Sequence, residues 1–313
     1  MRLINTRTRE LYEFFGDRIP TYAILSHTWS DREITFRDWA DRAGASGEGH
    51  RKILQACKLA ERQGYDYIWV DTVCIDKSSS AELTEAINSM FMWYKMAGIC
   101  YAYLIAVLWA KEERLSYHLS NSRWFTRGWT LQELLAPREV EFYSENWILL
   151  GTKASLCSDI SSITGIAAKY LAQNSFAVPI AEASVAERLS WLSCRRTTRT
   201  EDMAYCMLGI FDINMPLLYG EGPRAFMRLQ EEIMKVSNDF SLFCWKWKLG
   251  HYGSFLSPSP SCFAGSSHFI PSQQDVRPTP YFMTNAGLSI TLPVLYCCDG
   301  RRSFIWKSLS DLL

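Results

Sequence analysis

Residues 65–76 read YDYIWVDTVCID. The middle of this stretch is apolar almost without alternation, which suits a parallel strand covered on both faces; a strand with one wet face would alternate. It ends in polar Asp71, Thr72 and Asp76. Upstream, YAILS at 22–26 is a second short apolar run, and it opens into a loop at His27, Thr28 and Trp29. Between the two lie a Gly/Ser-rich loop at 44–49 and a helix over 51–63, where Ile53, Leu54, Cys57 and Ala60 have helical spacing and Gly64 supplies the stop. Downstream, Ser79-Ser80-Ala81-Glu82 reads as a capping box ahead of Leu83, Ile87, Met90 and Tyr94. A third strand follows over 99–107, a helix over 129–135 and a fourth strand over 139–143.

Strands alternating with helices predict an α/β fold: a mostly parallel sheet with helices on both faces. In such sheets ligands bind beyond the carboxyl ends of the strands. That rule singles out Ser26, His27 and Trp29 after the first strand and Asp71 and Cys74 near the end of the second. Past residue 150 the pattern turns helical, at 153–163, 183–194, 200–210 and 222–237. Thr198-Arg199-Thr200-Glu201 is another capping-box pattern, which leaves Arg195, Arg196 and Arg199 as solvated charges. After Trp247 the chain is rich in Ser, Pro and Gly with short β-like runs such as 288–295. The expected organisation is an α/β core at 1–150, a helical extension at 151–245 and a small β-rich segment at 246–313.

Composition narrows the function classes. Lys+Arg and Asp+Glu both number 33, so charge gives no case for nucleic acid or an acidic membrane surface. The N-terminus lacks the apolar run of a signal peptide, and the longest apolar run, 99–110, is shorter than the roughly 20 residues that span a bilayer. Ten cysteines without a CxxC, most inside apolar segments, read as reduced cytosolic thiols, and the expected location is cytoplasmic.

Several chemistries lack their signatures. There is no GxxxxGK[ST] loop, and Gly44, Gly47 and Gly49 do not follow a strand as GxGxxG requires. No HExxH or paired Cys/His spacing suggests zinc; His27, Asp71 and Asp76 are the one set that folding could gather, and no metal is expected. Cys74 and His27 could form a thiol nucleophile and its base, although Val73 and Ile75 argue that Cys74 is a core residue. The segment SRWFTRGWTLQELLAP, 122–137, offers a third chemistry. On a helix over 129–135, Leu131, Leu134 and Leu135 share one face, while Trp129, Gln132 and Glu133 share the opposite, non-core one. On this segment alone Glu133 reads as an ordinary surface charge. A carboxylate beside an indole could equally stabilise an oxocarbenium-like centre. Ordinary glycosidases need two carboxylates to protonate the leaving alkoxide. Nicotinamide leaves NAD as a neutral base, so one suffices.

Four blocks in order resemble the fungal heterokaryon-incompatibility (HET) domain: YAILSHTW at 22–29, YIWVDTVCID at 67–76, SRWFTRGWTLQELLAP at 122–137 and TTRTEDMAYCMLGIFDINMPLLYGEG at 197–222. The likeness covers residues 1–245 and is weaker at MTNAGLSITLP, 283–293. It implies a protein of filamentous fungi that triggers cell death when incompatible hyphae fuse, akin to innate immunity. The HET domain is in turn distantly similar to Toll/interleukin-receptor (TIR) domains, which implies a TIR-like, flavodoxin-like sheet. In TIR enzymes a glutamate in a W-x-x-E-like helix supports NAD cleavage, and Glu133 occupies the matching place. The resemblance thus implies an NAD glycohydrolase, acting on oligomerisation, in which NAD is substrate and no cofactor is needed. Glu133 would stabilise the ribosyl cation, Trp129 or Trp29 would stack on a base, Arg127 would pair with a phosphate, and Ser26, His27 and Asp71 would line the pocket. Ala106 stands where the family usually has aspartate, and Val73 where many members have a second cysteine. Expected partners are other copies of the chain, in a homotypic HET/TIR-like assembly, and an upstream receptor with nucleotide-binding and repeat domains. The alternative is a non-catalytic module that kills by homotypic assembly and recruitment; the Cys74/His27 thiol enzyme comes third.

Overall fold

The computed structural model describes residues 1–41, 47–105, 107, 115–172, 178–247, 254–269, 281–285 and 287–290. Among these residues nine strands occur, in chain order: β1 Arg2–Asn5, β2 Leu11–Glu13, β3 Ala23–His27, β4 Tyr67–Val70, β5 Ile99–Leu104, β6 Val140–Ser144, β7 Leu149–Thr152, β8 Phe282–Thr284 and β9 Gly287–Ser289. The first seven form one sheet in the order β2-β1-β4-β3-β5-β6-β7. Its centre, β4-β3-β5-β6, is parallel throughout, with Ala23 level with Ile68 on one side and Ile99 on the other. Antiparallel strands extend both edges: β1 on β4, β2 on β1 and β7 on β6. All five residues of β3 and all six of β5 are buried, which is why neither alternates in sequence.

In order of appearance the parallel strands run 2-1-3-4, the flavodoxin-like arrangement whose connections reverse direction beside the first strand. Right-handed crossovers then place the Glu48–Arg62 helix on one face and the Ser80–Met96 and Thr130–Leu135 helices on the other. The contacts agree: Thr130–Leu135 packs on β3 and on Ser80–Met96, and Glu48–Arg62 packs on β4.

The Ser79 hydroxyl caps its helix by accepting from the Glu82 amide at 3.3 Å. Glu82 does not complete the expected box; its carboxylate accepts from the Asp76 amide at 2.8 Å and pairs with Arg2. The run expected as a strand over 99–107 ends at Leu104, and position 106 lies outside the described residues.

The helical segment follows as Cys157–Thr164, Ala168–Leu171, Val185–Ser190, Asp202–Tyr205, Leu208–Phe211 and Arg224–Val236. The single helix expected over 200–210 is therefore two short ones. A Cβ on Gly209 would lie 2.0 Å from Phe91 Cβ, so glycine is what lets Leu208–Phe211 press against Ser80–Met96. Gln230 then ties the next segment down, donating to Ser257 O and accepting from Ser257 N, each at 2.8 Å. In the tail, β8 and β9 form an antiparallel pair; most of 288–295 lies outside the described residues. No helix among the described residues is long and apolar enough to cross a membrane, and the eight cysteines described are all free.

Candidate active site

A cavity of about 280 Å³ opens at the carboxyl ends of β3 and β4, beside the point where the connections reverse. His27, Thr28 and Trp29 after β3 border it, as do Asp71, Ile75 and Lys77 after β4, and Arg127, Trp129, Thr130 and Glu133 at the start of the Thr130–Leu135 helix. Thr198, Arg199, Asp202 and Tyr219 of the helical segment form another side, and Leu83, Ile87, Met90 and Tyr94 of the Ser80–Met96 helix line the rest.

Glu133 is not on a wet helix face. All six residues of Thr130–Leu135 are buried, and Glu133 itself is only 7% exposed. The cover comes from far along the chain. Gly128 N donates to Arg196 O at 2.9 Å and Arg196 N to Thr126 O at 2.8 Å, a short parallel bridge that lays the 195–198 strip against the helix start. A Cβ on Gly128 would lie 2.5 Å from Thr197 Cγ2, so any other residue there would have to displace the Thr197 side chain.

The Glu133 carboxyl accepts from the Ser26 hydroxyl. Ser26 in turn accepts from the Trp124 indole at 2.7 Å. Ser26 thus stands behind Glu133 and holds it, and does not itself border the cavity. Burial pushes the Glu133 carboxyl up to about 8, the charge of Asp71 adds to the rise, and hydrogen bonds from Ser26 and Tyr94 with the charge of Arg195 oppose it. Near neutrality the carboxyl at the floor of the cavity is therefore mostly uncharged.

Arg195 is a correction to the sequence reading, which left it in solvent. It is 5% exposed, and its Nη1 donates to Arg127 O at 2.8 Å and Thr130 Oγ1 at 2.9 Å. Its Nη2 is buried without a hydrogen-bond partner. Burial pulls the guanidinium down to about 10, so it stays charged at neutral pH and becomes the buried cation that an ionised Glu133 would meet. The expected capping box at 198–201 does not form either: Glu201 accepts from the Gly220 and Gly222 amides at 2.8 and 3.1 Å, pinning the turn that carries Tyr219.

Trp29 is 47% exposed, donates from its indole to Asp71 at 2.8 Å and has Lys77 Nζ 3.4 Å from its ring centre. One face of this indole is already occupied by a cation. Trp129, partly buried on the opposite wall, lies beside the Asp202 carboxyl, which burial pushes up and which accepts from Tyr219 at 3.0 Å. The His27 imidazole has no exposure and lies 3.5 Å from Glu33 and 3.8 Å from Asp71. Burial would raise Glu33, but His27 and the Lys52 ammonium, 2.7 Å from both its oxygens, outweigh that and hold it well below the carboxylate range. This group reads as a buried support under Asp71.

The other chemistries fare poorly. Cys74 ends a short helix, Asp71–Cys74, rather than a strand; it is buried, outside the cavity lining, and pushed up to about 12 by burial. A thiol so placed is a weak nucleophile. Asp76 turns to Ser78, accepting from its amide at 3.0 Å, and among the described residues no group of three His, Cys, Asp or Glu could hold a metal.

The structure thus gathers His27, Trp29, Asp71, Arg127, Trp129 and Glu133 at one cavity, with Ser26 directly behind. Lys77, Thr198, Arg199, Asp202 and Tyr219 were not foreseen. Their signal was the block at 197–222, which supplies four of the five.

Fold and site define an α/β domain with buried carboxyls, Glu133 and Asp202, in a cavity at the switch point of a flavodoxin-like sheet. The heterokaryon incompatibility (HET) family model matches residues 22–107, and a domain of unknown function (DUF8212) matches 224–269. The chain is 46% identical over 226 residues to the vegetative incompatibility protein HET-E-1 of Podospora anserina, a match spanning 70% of this chain and 16% of that protein. The chain is a HET-domain protein. No solved structure matches it.

Proposed function

We propose that this chain is a cell-death effector of vegetative incompatibility that, on assembling with further copies of itself, hydrolyses NAD to nicotinamide and ADP-ribose. The observation that carries the reading is the Glu133 carboxyl, buried at the floor of the cavity and held by Ser26. Nicotinamide departs as a neutral base, leaving positive charge on the ribosyl carbon, so a single carboxylate facing that carbon lowers the barrier without a general acid. Water adds to the same carbon and releases one proton. The positive charge of NAD's nicotinamide ring favours the ionised carboxylate, so a group that rests neutral becomes charged when it is needed. Trp129 offers the freer indole face for stacking, since Lys77 covers one face of Trp29. Arg127 pairs with a phosphate. The TIR-like ancestry suggested by the sequence agrees with the 2-1-3-4 strand order.

The test is Glu133→Gln, which keeps the shape and the bond from Ser26. Nicotinamide release, followed by chromatography at high protein concentration, should fall about 100- to 1,000-fold with the melting temperature retained. Release at the original rate would sink the assignment. A variant that still kills cells without releasing nicotinamide would favour the assembly module instead.

A further inference from the structure

Burial orders the cavity from floor to mouth: Glu133 is buried, Arg127 half-buried, and Thr198 and Arg199 exposed. Of the two arginines at the mouth, Arg199 acts on the nearby Glu201 and Asp202 carboxyls through its charge without pairing with either. Arg127 directs Nη1 and Nη2 to the Thr198 hydroxyl, each at 3.2 Å, and the Arg199 guanidinium lies 4.4 Å from the centre of the Tyr219 ring. Among the described residues neither forms an ion pair. Lys77 across the cavity differs, being 3.7 Å from Asp71 and stacked on Trp29. A guanidinium fork on a hydroxyl, with a second guanidinium on the next residue and neither in an ion pair, offers the donors that a phosphate group accepts from.

Size supplies the second argument. At about 280 Å³ the cavity lies just below the roughly 300–1,000 Å³ of sites that enclose drug-sized ligands, so it can take a nucleoside but not a whole dinucleotide. A ribose whose anomeric carbon faces Glu133 has its 5′-oxygen at the far end of the sugar, toward the mouth. We propose that Arg127, Thr198 and Arg199 form a phosphate site, and that the unit recognised is nicotinamide mononucleotide, with the adenosine half of NAD left outside the cavity. This rests on the NAD reading and narrows it to a substrate class: phosphorylated nicotinamide ribosides, with the unphosphorylated nucleoside a poor ligand.

The test compares the affinities of nicotinamide mononucleotide and nicotinamide riboside by titration calorimetry, in a Glu133→Gln background so that neither is consumed. The mononucleotide should bind roughly 10- to 100-fold more tightly, as expected for charge-assisted bonds to one phosphate. Adding Arg199→Gln or Arg127→Gln should collapse that ratio. Arg196→Gln, which removes an exposed arginine outside the cavity lining, should leave it intact. Equal affinities for the two ligands, no binding of either at millimolar concentration, or equal effects of Arg199→Gln and Arg196→Gln would overturn the phosphate site. Nicotinamide release by the chain with Glu133 intact is measured in parallel. Silence there counts against hydrolysis alone, whereas the affinity ratio judges the phosphate site alone.

Discussion

At the scale of single residues, Glu133 decides most. Its folded value of about 8 stands above the ordinary 4.5, so between those two pH values the folded chain holds a proton that the unfolded chain has lost. Its contribution to stability is full below about pH 4.5 and declines as pH rises through 8, a span of about 5 kcal/mol. Denaturant midpoints at pH 5 and pH 8 should therefore differ by more in the wild-type chain than in Glu133→Gln. Equal differences would show that the carboxyl is not buried as described. The placement of this residue was half legible in sequence. Helical spacing separated it correctly from Leu131, Leu134 and Leu135, but the face it shares with Trp129 and Gln132 looked wet because its cover, Arg195 to Tyr219, comes more than sixty positions later.

Elements were legible in proportion to how completely they are buried. β3, β4 and β5 stood out as unbroken apolar runs because both faces of the central sheet are covered. β1 and β2 passed unnoticed: four and three residues long, pairing antiparallel at the edge, they carry too few residues to show a period. The split of 200–210 into two helices was equally hidden, since Gly209 reads as a weak helix former and its purpose lies in Phe91. Gly209→Ala puts two measurable effects in opposition. Helix propensity favours alanine by about 1 kcal/mol, while a Cβ placed 2.0 Å from Phe91 Cβ forces overpacking that typically costs about 1–3 kcal/mol. The clash involves an atom attached directly to the backbone, so it cannot swing away. We expect net destabilisation in a denaturant titration, and a more stable variant would refute the close approach. The displaced partner helix also carries Leu83, Ile87, Met90 and Tyr94 of the cavity wall.

For the whole molecule, the site belongs to two stretches of chain. The sheet and its loops provide the floor, whereas Arg195, Thr198, Arg199, Asp202 and Tyr219 provide a buried cation and one wall. The family model over 22–107 thus ends before Glu133 and well before that wall. A fragment ending at residue 150 would strip the Arg195–Tyr219 cover from the start of the Thr130–Leu135 helix and from the now buried Glu133. It should melt without a cooperative transition by circular dichroism, and a sharp transition would show that the sheet stands alone. Sequence reading placed the boundary near 150 because the periodicity changes there. Periodicity records how each segment is locally shaped and carries no information about which segments share a surface.

The resting proton on Glu133 also acts as a filter. At pH 7 any cation that settles against this carboxyl must first evict that proton, a handicap of roughly 1 kcal/mol. Sodium, potassium and ammonium ions, which keep their water, gain little to offset it. A flat organic cation that stacks on an indole as it arrives would gain far more.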